Sequence, residues 1–291
     1  MKVVFTGASG HLGTALRACL EKRGHEAVGL TSKELDLRDD TAVTYLGSFL
    51  KDRPVVVHLA AWHPPATAAT DALDRRRLLE VNVMGTMRVL EACRGGQVSA
   101  VVYASSFEVY GRPESSRIDE DHPTRPLSDY GATKLAGEDH LLAFAYEETT
   151  RVVALRMPAV YGPGEKTPRL LPSCLGKVAR GERPVVEGDG GDLRDQLYVD
   201  DAAKAIALAI ETESATGIFN VADGEPHSVA EIARLAMKVA GMGGDPATAE
   251  RKKPRLDFHM SIATARRELG FVPDIAIEEG MRRQLASIRG K

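Results

Sequence analysis

The stretch Val3-Val4-Phe5-Thr6-Gly7-Ala8-Ser9-Gly10-His11-Leu12-Gly13-Thr14-Ala15-Leu16-Arg17-Ala18-Cys19-Leu20 decides the fold. Its apolar start reads as a buried strand, the glycine-rich run as a tight turn, and the remainder as a helix. Glycine at 7, 10 and 13 allows the turn, a close backbone approach to a ligand, and tight helix–strand packing. A helix opening at this point offers its free N–H groups and positive dipole end to an anion. Strand, turn and helix in succession are the setting a dinucleotide pyrophosphate needs, so Gly7, Ser9, Gly10, His11, Leu12 and Gly13 are candidate cofactor ligands.

Working outward, Glu26–Leu30 reads as a second strand that ends at Thr31-Ser32-Lys33. An NAD site usually places an acidic residue there for the ribose 2′-hydroxyl. Thr31 takes that place, and its hydroxyl with those of Ser32 and the charge of Lys33 suits a 2′-phosphate, which favours NADP(H) over NAD. Asp36, with the adjoining Leu37, is a candidate for the adenine edge. Pro54–Ala61 is a continuous apolar strand of the kind buried on both faces of a parallel sheet. Ala60 and Ala61 stand at its carboxyl end, where open α/β sheets bind ligands, and Trp62 follows, either facing cofactor or substrate or packing under a loop. His63 has no partner at metal spacing and is assigned no chemistry. Leu79–Ala92 is read as an amphipathic helix whose Asn82 finds its hydrogen bonds on the cofactor side or on backbone. A fourth strand, Ala100–Ala104, delivers Ser105, Ser106 and Phe107 to the binding end, and a fifth, Arg151–Arg156, delivers Met157.

The chemistry is expected in Ser128-Asp-Tyr-Gly-Ala-Thr-Lys-Leu-Ala-Gly-Glu-Asp139. Residues 132–144 have helical character, so Tyr130 and Lys134, at i and i+4, share a face. A cation near a phenol stabilises phenolate and lowers the tyrosine pKa, which an acid or base working near neutrality requires. After Val160-Tyr161-Gly162 the strand–helix alternation loosens through Gly190; it resumes at Arg194–Asp201, a helix over 202–210 and a last strand, Ile218–Ala222. The expected architecture is α/β: a Rossmann-like doubly wound parallel sheet with a smaller mixed α/β lobe. Residues 1–162 plus about 191–222 make the dinucleotide-binding domain, and about 163–190 plus 223–291 the substrate-binding lobe.

A chain of 291 residues can bury a sizeable core. Its net charge of −3, with only the short basic runs Arg75–Arg77 and Arg251–Lys253, argues against nucleic acid as a partner. Cys19, Cys93 and Cys174 are odd in number and lack metal spacing, as expected of free thiols in a reducing compartment. No bound metal is expected. The chain enters a strand at once, and no apolar run approaches bilayer-spanning length, so a soluble cytoplasmic protein without membrane association is expected.

In this order, the glycine turn, the Ser105-Ser106 strand end and Tyr-x-x-x-Lys resemble the extended short-chain dehydrogenase/reductase family. More narrowly, the chain resembles the NAD-dependent epimerase/dehydratase group, which acts on nucleotide sugars. Matching segments include Asn82–Thr86, Ser105–Gly111, Val160–Pro163, Arg194–Asp201 and Ala263–Gly270. The resemblance implies that Tyr130 is the acid/base, that Lys134 binds the nicotinamide ribose, and that Ser106 is the catalytic hydroxyl. It further implies that Arg194 binds the substrate diphosphate and that the chain forms a homodimer through the helices of Asn82 and Tyr130. Dehydratases of the group place Asp-Glu after the catalytic hydroxyl; Phe107-Glu108 follows Ser106, which counts against 4,6-dehydration and leaves Glu108 a secondary candidate. Ala159 stands where the epimerases carry an Asn that contacts the diphosphate, and Leu30–Asp39 is similar to dTDP-4-dehydrorhamnose reductases. The expectation is an NAD(P)-dependent epimerase or oxidoreductase moving a hydride to or from a carbinol or keto carbon of a nucleotide sugar, of 4-epimerase or 4-keto-reductase type. The alternatives are a reductase or dehydrogenase of a non-nucleotide carbonyl or sugar, and a non-catalytic NAD(P)-binding sensor or scaffold.

Overall fold

Six parallel strands form the central sheet of the computed structural model, which describes residues 1–64, 71–95, 97–252 and 254–290; Lys253 of the second basic run lies outside them. In chain order the strands are β1 (Lys2–Thr6), β2 (Glu26–Leu30), β3 (Val55–His58), β4 (Ala100–Ser106), β5 (Arg151–Met157), β6 (Ala159–Tyr161), β7 (Val185–Glu187), β8 (Leu193–Arg194), β9 (Gln196–Tyr198), β10 (Gly217–Asn220), β11 (His227–Ser228) and β12 (Ala247–Ala249). The sheet runs β10-β5-β4-β3-β1-β2, and the remaining short strands pair off outside it. The helices are α1 (His11–Lys22), α2 (Thr41–Gly47), α3 (Ala72–Leu78), α4 (Gly85–Ala92), α5 (Asp129–Glu148), α6 (Leu170–Ala179), α7 (Val199–Glu211), α8 (Val229–Val239), α9 (Ala263–Glu268) and α10 (Ile277–Ile288).

The strands read as unbroken apolar runs because both faces of the sheet are covered. Successive side chains alternate between faces. Val3, Phe5, Val55, Val57 and Val102 pack with Leu16 and Leu20 of α1 and Ile206 of α7. Val4, Val56, Val101 and Tyr103 pack on the other face with Leu46 of α2, Val89 of α4 and Leu141 and Phe144 of α5. Each such side chain, once fully buried, contributes about 1.5–3 kcal/mol. A third core joins Leu171 and Leu175 of α6 to Ile232 and Met237 of α8 and Met281 and Leu285 of α10.

The differences from the sequence reading are local. The third strand stops at His58, and Leu59–Pro64 leave the ladder. Residues 79–92 are one π-helical turn, Leu79–Met84, followed by α4. Helix α6 occupies the stretch read as loosened; its Pro172 sits within the first turn, where a missing N–H costs little. The Tyr130 helix is longer than expected, opening on Ser128, whose Oγ accepts the Gly131 N–H at 2.9 Å.

The order in which successive strands are added to the sheet reverses between β1 and β3, so their carboxyl ends frame a crevice at the topological switch point. Gly7 adopts φ 74°, and a Cβ there would lie 2.8 Å from the Ala60 nitrogen. Only glycine lets the turn after β1 and the end of β3 close up in this way. Among the described residues no helix is long and apolar enough to cross a membrane, no group of three or more His, Cys, Asp or Glu is placed to hold a metal, and the three cysteines are unbonded.

Candidate active site

A buried polar thread underlies the crevice. The Ala60 N–H donates to Thr6 Oγ1 at 3.1 Å, and Thr6 Oγ1 lies 2.7 Å from His58 Nδ1. On the other side of the ring, Nε2 lies 3.1 Å from Thr86 Oγ1, which itself donates to the Asn82 carbonyl at 2.6 Å. With the Thr86 proton committed, Nε2 must donate, and in a neutral ring Nδ1 accepts the Thr6 hydroxyl. Burial agrees, driving His58 down to about 3, with the Lys134 charge adding to it. Asn82 continues the thread. Its Oδ1 accepts the Trp62 N–H at 2.7 Å, and its Nδ2 donates to the Trp62 carbonyl at 2.9 Å and to Thr133 Oγ1 at 3.0 Å. Every polar atom of this side chain is consumed, so Asn82 shapes the wall of the crevice and does not line it.

The crevice has two connected parts. The first, about 390 Å³, is lined by Gly7, Ser9, Gly10, Thr31, Ser32, Asp36, Leu37, Ala60, Ala61 and Trp62, together with Arg38 and Arg77. Lys33 points away and is exposed. The reason is a local turn in which the Thr31 N–H and hydroxyl both donate to Glu34, at 2.9 and 2.8 Å, while Leu35 and Leu37 bury themselves beneath. The cations lining this cavity are Arg38 and Arg77; Arg38 grips Asp36 through two nitrogens, at 2.9 and 2.6 Å, and holds that carboxyl down at about 2. Arg77 lies 5.1 Å above the Trp62 ring.

The second part, about 260 Å³, brings Gly7, Gly10, His11, Leu12, Gly13, Ala61, Ser105, Ser106, Tyr130, Lys134 and Met157 together. A Cβ on Gly13 would lie 2.3 Å from the Gly7 carbonyl oxygen, so α1 starts hard against the turn. Its N-cap, Gly10, makes no side-chain cap and its first turn holds no acidic residue, which leaves the leading N–H groups for a phosphate. His11 Nδ1 pairs with Glu165 at 3.2 Å across the mouth.

Lys134 is 2% exposed, and no described residue hydrogen-bonds its Nζ, which stands 4.3 Å over the Tyr103 ring. An ammonium that is buried, lines a cavity and lacks an acceptor fits the hydroxyls of a nucleotide ribose. Burial pushes it down to about 7, against the pull of Glu138. The expectation that Lys134 softens Tyr130 is not met in this structure. Burial pushes the phenol up to about 12, and the cation pulling it back is Arg169, with Glu108 opposing. The i,i+4 spacing gives the two residues one face, but the lysine tip turns under the Tyr103 ring.

Ser106 ends β4, with its Oγ accepting the Glu108 N–H at 3.2 Å. Ser105 donates to Glu138, which forms a buried ion pair with Arg156 at 2.7 Å. A third cavity, about 240 Å³, adjoins the second and is lined by His63, Phe107, Glu108, Ala159, Arg169, Arg194, Asp195 and Phe258. Phe107 and Phe258 meet edge to face, centroids 4.8 Å apart. Arg194 is partly committed: one nitrogen donates to the carbonyls of Leu193 and Leu256, and Asp192 lies 3.8 Å from the other. Arg169, at the N-cap of α6, lines the second and third cavities, and its side chain has no hydrogen-bond or ion-pair partner among the described residues. The sequence offered only a lone Arg before Leu-Leu-Pro. His63, assigned no chemistry above, packs on Tyr130 with ring centroids 4.5 Å apart.

The chain matches known proteins over nearly its whole length. The family model described as NAD dependent epimerase/dehydratase family matches residues 3–222. The UDP-glucose 4-epimerase of Mycolicibacterium smegmatis is 30% identical over 320 residues, covering 100% of this chain and 99% of that protein. The crystal structure of Thermus thermophilus UDP-glucose 4-epimerase in complex with NAD has a TM-score of 0.86 at 30% identity, covering 100% of this chain and 99% of that one. RMD from Pseudomonas aeruginosa, complexed with NADPH, also gives 0.86, at 26% identity and 99% of each chain. The matched span holds the glycine turn together with Ser106, Tyr130 and Lys134, and the chain belongs to the NAD dependent epimerase/dehydratase family.

Proposed function

We propose that this protein is an NAD(P)-dependent epimerase or oxidoreductase of a nucleotide sugar, of the 4-epimerase or 4-keto-reductase type. The observation that carries the reading is one cavity shared by Ser106, Tyr130, an unpartnered buried Lys134 and the glycine-rich turn. The dinucleotide, when bound, supplies the hydride acceptor or donor. Gly7, Gly10, Gly13 and the first N–H groups of α1 hold its phosphates, and Lys134 holds the nicotinamide-side ribose. Ser106 orients the carbinol or keto oxygen, and Tyr130 exchanges the hydroxyl proton. The segments of about 163–190 and 223–291 serve as the substrate lobe, and Arg169 with Arg194 provides positive charge for a diphosphate.

For the cofactor we favour NADP(H). Arg38 lines the adenosine cavity beside Thr31 and Ser32 and replaces Lys33 as the cation for a 2′-phosphate, whereas Glu34 lies outside the lining. We also infer a homodimer. Leu79, Met84 and Met87, on the segments around Asn82, and Leu142 and Tyr146 of α5 are exposed apolar residues on adjoining helices. Unbonded cysteines suit a reducing, cytoplasmic setting.

The test is turnover of UDP-glucose, UDP-glucuronic acid and dTDP-glucose, with and without added NAD(P)H, by the wild type and Tyr130→Phe. Turnover by the wild type and its loss in the variant are expected. Turnover without added cofactor assigns an epimerase, and NADPH-dependent reduction of the corresponding 4-keto sugars, or a requirement for added NAD(P) as hydride acceptor with the alcohols, assigns an oxidoreductase. A Tyr130→Phe protein as active as the wild type removes the acid/base role. The second reading, a substrate without a diphosphate, is favoured by Ala159 and by the commitment of Arg194 to two carbonyls; activity on free sugars or simple ketones alone selects it.

A further inference from the structure

Two serines end β4 side by side, and their hydrogen bonds leave them with opposite polarity. Alternation along the strand puts Val101, Tyr103 and Ser105 on the face that α5 covers, and Val102, Ala104 and Ser106 on the other. The register pairs Ser105 with Arg156 of β5, and Glu138, one turn beyond Lys134 on α5, meets both. Its carboxylate accepts the Ser105 hydroxyl, and Arg156 grips it through two nitrogens, at 3.0 and 2.7 Å. All three side chains are buried, with Ser105 5%, Arg156 3% and Glu138 1% exposed. A carboxylate held by a guanidinium has no proton to give, so Ser105 is the donor in this bond. A serine carries one hydroxyl proton; with it spent, Ser105 Oγ keeps only lone pairs. Ser106 is set the other way. Its Oγ accepts the Glu108 N–H at 3.2 Å, and its own proton has no acceptor among the described residues. Ser106 can therefore donate to a carbinol or keto oxygen, whereas Ser105 can only accept.

We propose that Ser105 is the acceptor for the carboxamide N–H of the bound nicotinamide, and that Glu138, held by Arg156, is the positioning residue that fixes its polarity. Among the described residues nothing donates to Ser105 Oγ, so the donor must come from a ligand; ionised phosphates and carboxylates have none to offer. Ser105 lines the second cavity, with Lys134 and the glycine-rich turn, and does not line the third, which places the donor on the dinucleotide side. There Lys134 holds the ribose hydroxyls, and the carboxamide carries the remaining N–H donors. The ion pair adds little to stability that apolar side chains of similar volume would not supply. What it adds is a fixed direction for one hydroxyl at the cavity wall. The inference rests on the dinucleotide reading of this cavity.

The test measures dissociation constants by calorimetry for NAD(P) and for its 3-acetylpyridine analogue, in which a methyl ketone replaces the carboxamide and removes its N–H donors. One hydrogen bond corresponds to about five- to tenfold in affinity, so the wild type should prefer NAD(P) by that factor. Ser105→Ala should lose the preference by weakening NAD(P) alone, with the analogue within about twofold of its wild-type value. UDP-glucose, titrated into the NAD(P)-loaded variant, should also stay within about twofold. Glu138→Met/Arg156→Met frees the Ser105 proton; it should keep the wild-type melting temperature yet prefer NAD(P) by less than about twofold, because a hydroxyl free to turn can donate to the ketone. The ratio of the two dinucleotides cancels the effect of Glu138 on Lys134. A purely structural pair would leave that ratio unchanged, so a double variant with the wild-type preference overturns the positioning role. If the wild type shows no preference, or Ser105→Ala weakens both dinucleotides equally or weakens UDP-glucose instead, the carboxamide assignment is wrong and the dinucleotide reading stands. A wild type that binds no dinucleotide brings down that reading, and this assignment with it.

Discussion

Lys134 makes cofactor binding a proton-counting experiment. In the protein without cofactor, burial holds its ammonium near 7, against about 10.4 for a lysine in water. At pH 8 roughly nine molecules in ten then carry a neutral amine, at pH 7 about half, and at pH 6 about one in ten. Ribose hydroxyls accept hydrogen bonds from the ammonium, so the complex restores the charged form. Binding should therefore take up about 0.9 proton at pH 8, about 0.5 at pH 7 and about 0.1 at pH 6. The sign follows directly: the complex holds a proton that the free protein has lost, so affinity is highest below 7 and falls as pH rises through it. The slope is about tenfold, or about 1.4 kcal/mol, per pH unit above 7. Calorimetric titration of NAD or NADPH in buffers of different ionisation enthalpy reads the proton number directly, and Lys134→Met should abolish the uptake. A wild-type uptake near zero at pH 8, or the same uptake in Lys134→Met, refutes the reasoning.

Three further expectations concern the frame around the site. Gly13→Ala sets a Cβ 2.3 Å from the Gly7 oxygen and 2.8 Å from Ala8 Cα, both backbone atoms that cannot turn aside; the overpacking should cost about 1–3 kcal/mol in thermal unfolding and weaken dinucleotide binding by at least about tenfold in a fluorescence titration. Glu138→Gln leaves Arg156 as a buried uncompensated charge and should lower stability by about 3–5 kcal/mol in denaturant melts, with Glu138→Gln/Arg156→Met recovering most of the loss. Arg38→Ala should weaken NADP(H) about tenfold relative to NAD(H), whereas Lys33→Ala leaves both nearly unchanged; the opposite pattern returns the selectivity to Lys33.

The sheet was legible because burial on both faces writes itself as unbroken apolar runs, and the Gly7–Gly13 turn because its spacing answers a steric need met by no other residue. Tyr130 and Lys134 were legible as a pair on one helical face. Their electrostatics were not, because the direction of the lysine tip depends on Tyr103, and the cation reaching the phenol is Arg169, thirty-nine residues on in the chain. Arg38 lines the cavity in place of Lys33 because of a turn closed by Glu34 and anchored by two buried leucines, a matter of loop geometry that composition does not carry. Arg194 looked free until the Leu256 carbonyl, sixty-two residues away, was folded against it. His63 lacked a neighbour at any regular spacing because the ring it packs on, Tyr130, comes from a separate element.

The thread Ala60–Thr6–His58–Thr86–Asn82–Trp62 divides the crevice into a stiff side and a compliant one. Breaking any link strands a buried donor or acceptor, so the ends of β1 and β3 and the first peptide of the following loop must open together or not at all. Amide deuterium uptake should accordingly be slow and correlated at Thr6, Ala60 and Trp62. On the opposite rim Glu165 reaches His11 at 3.2 Å, a contact between side chains at the mouth and not within the core.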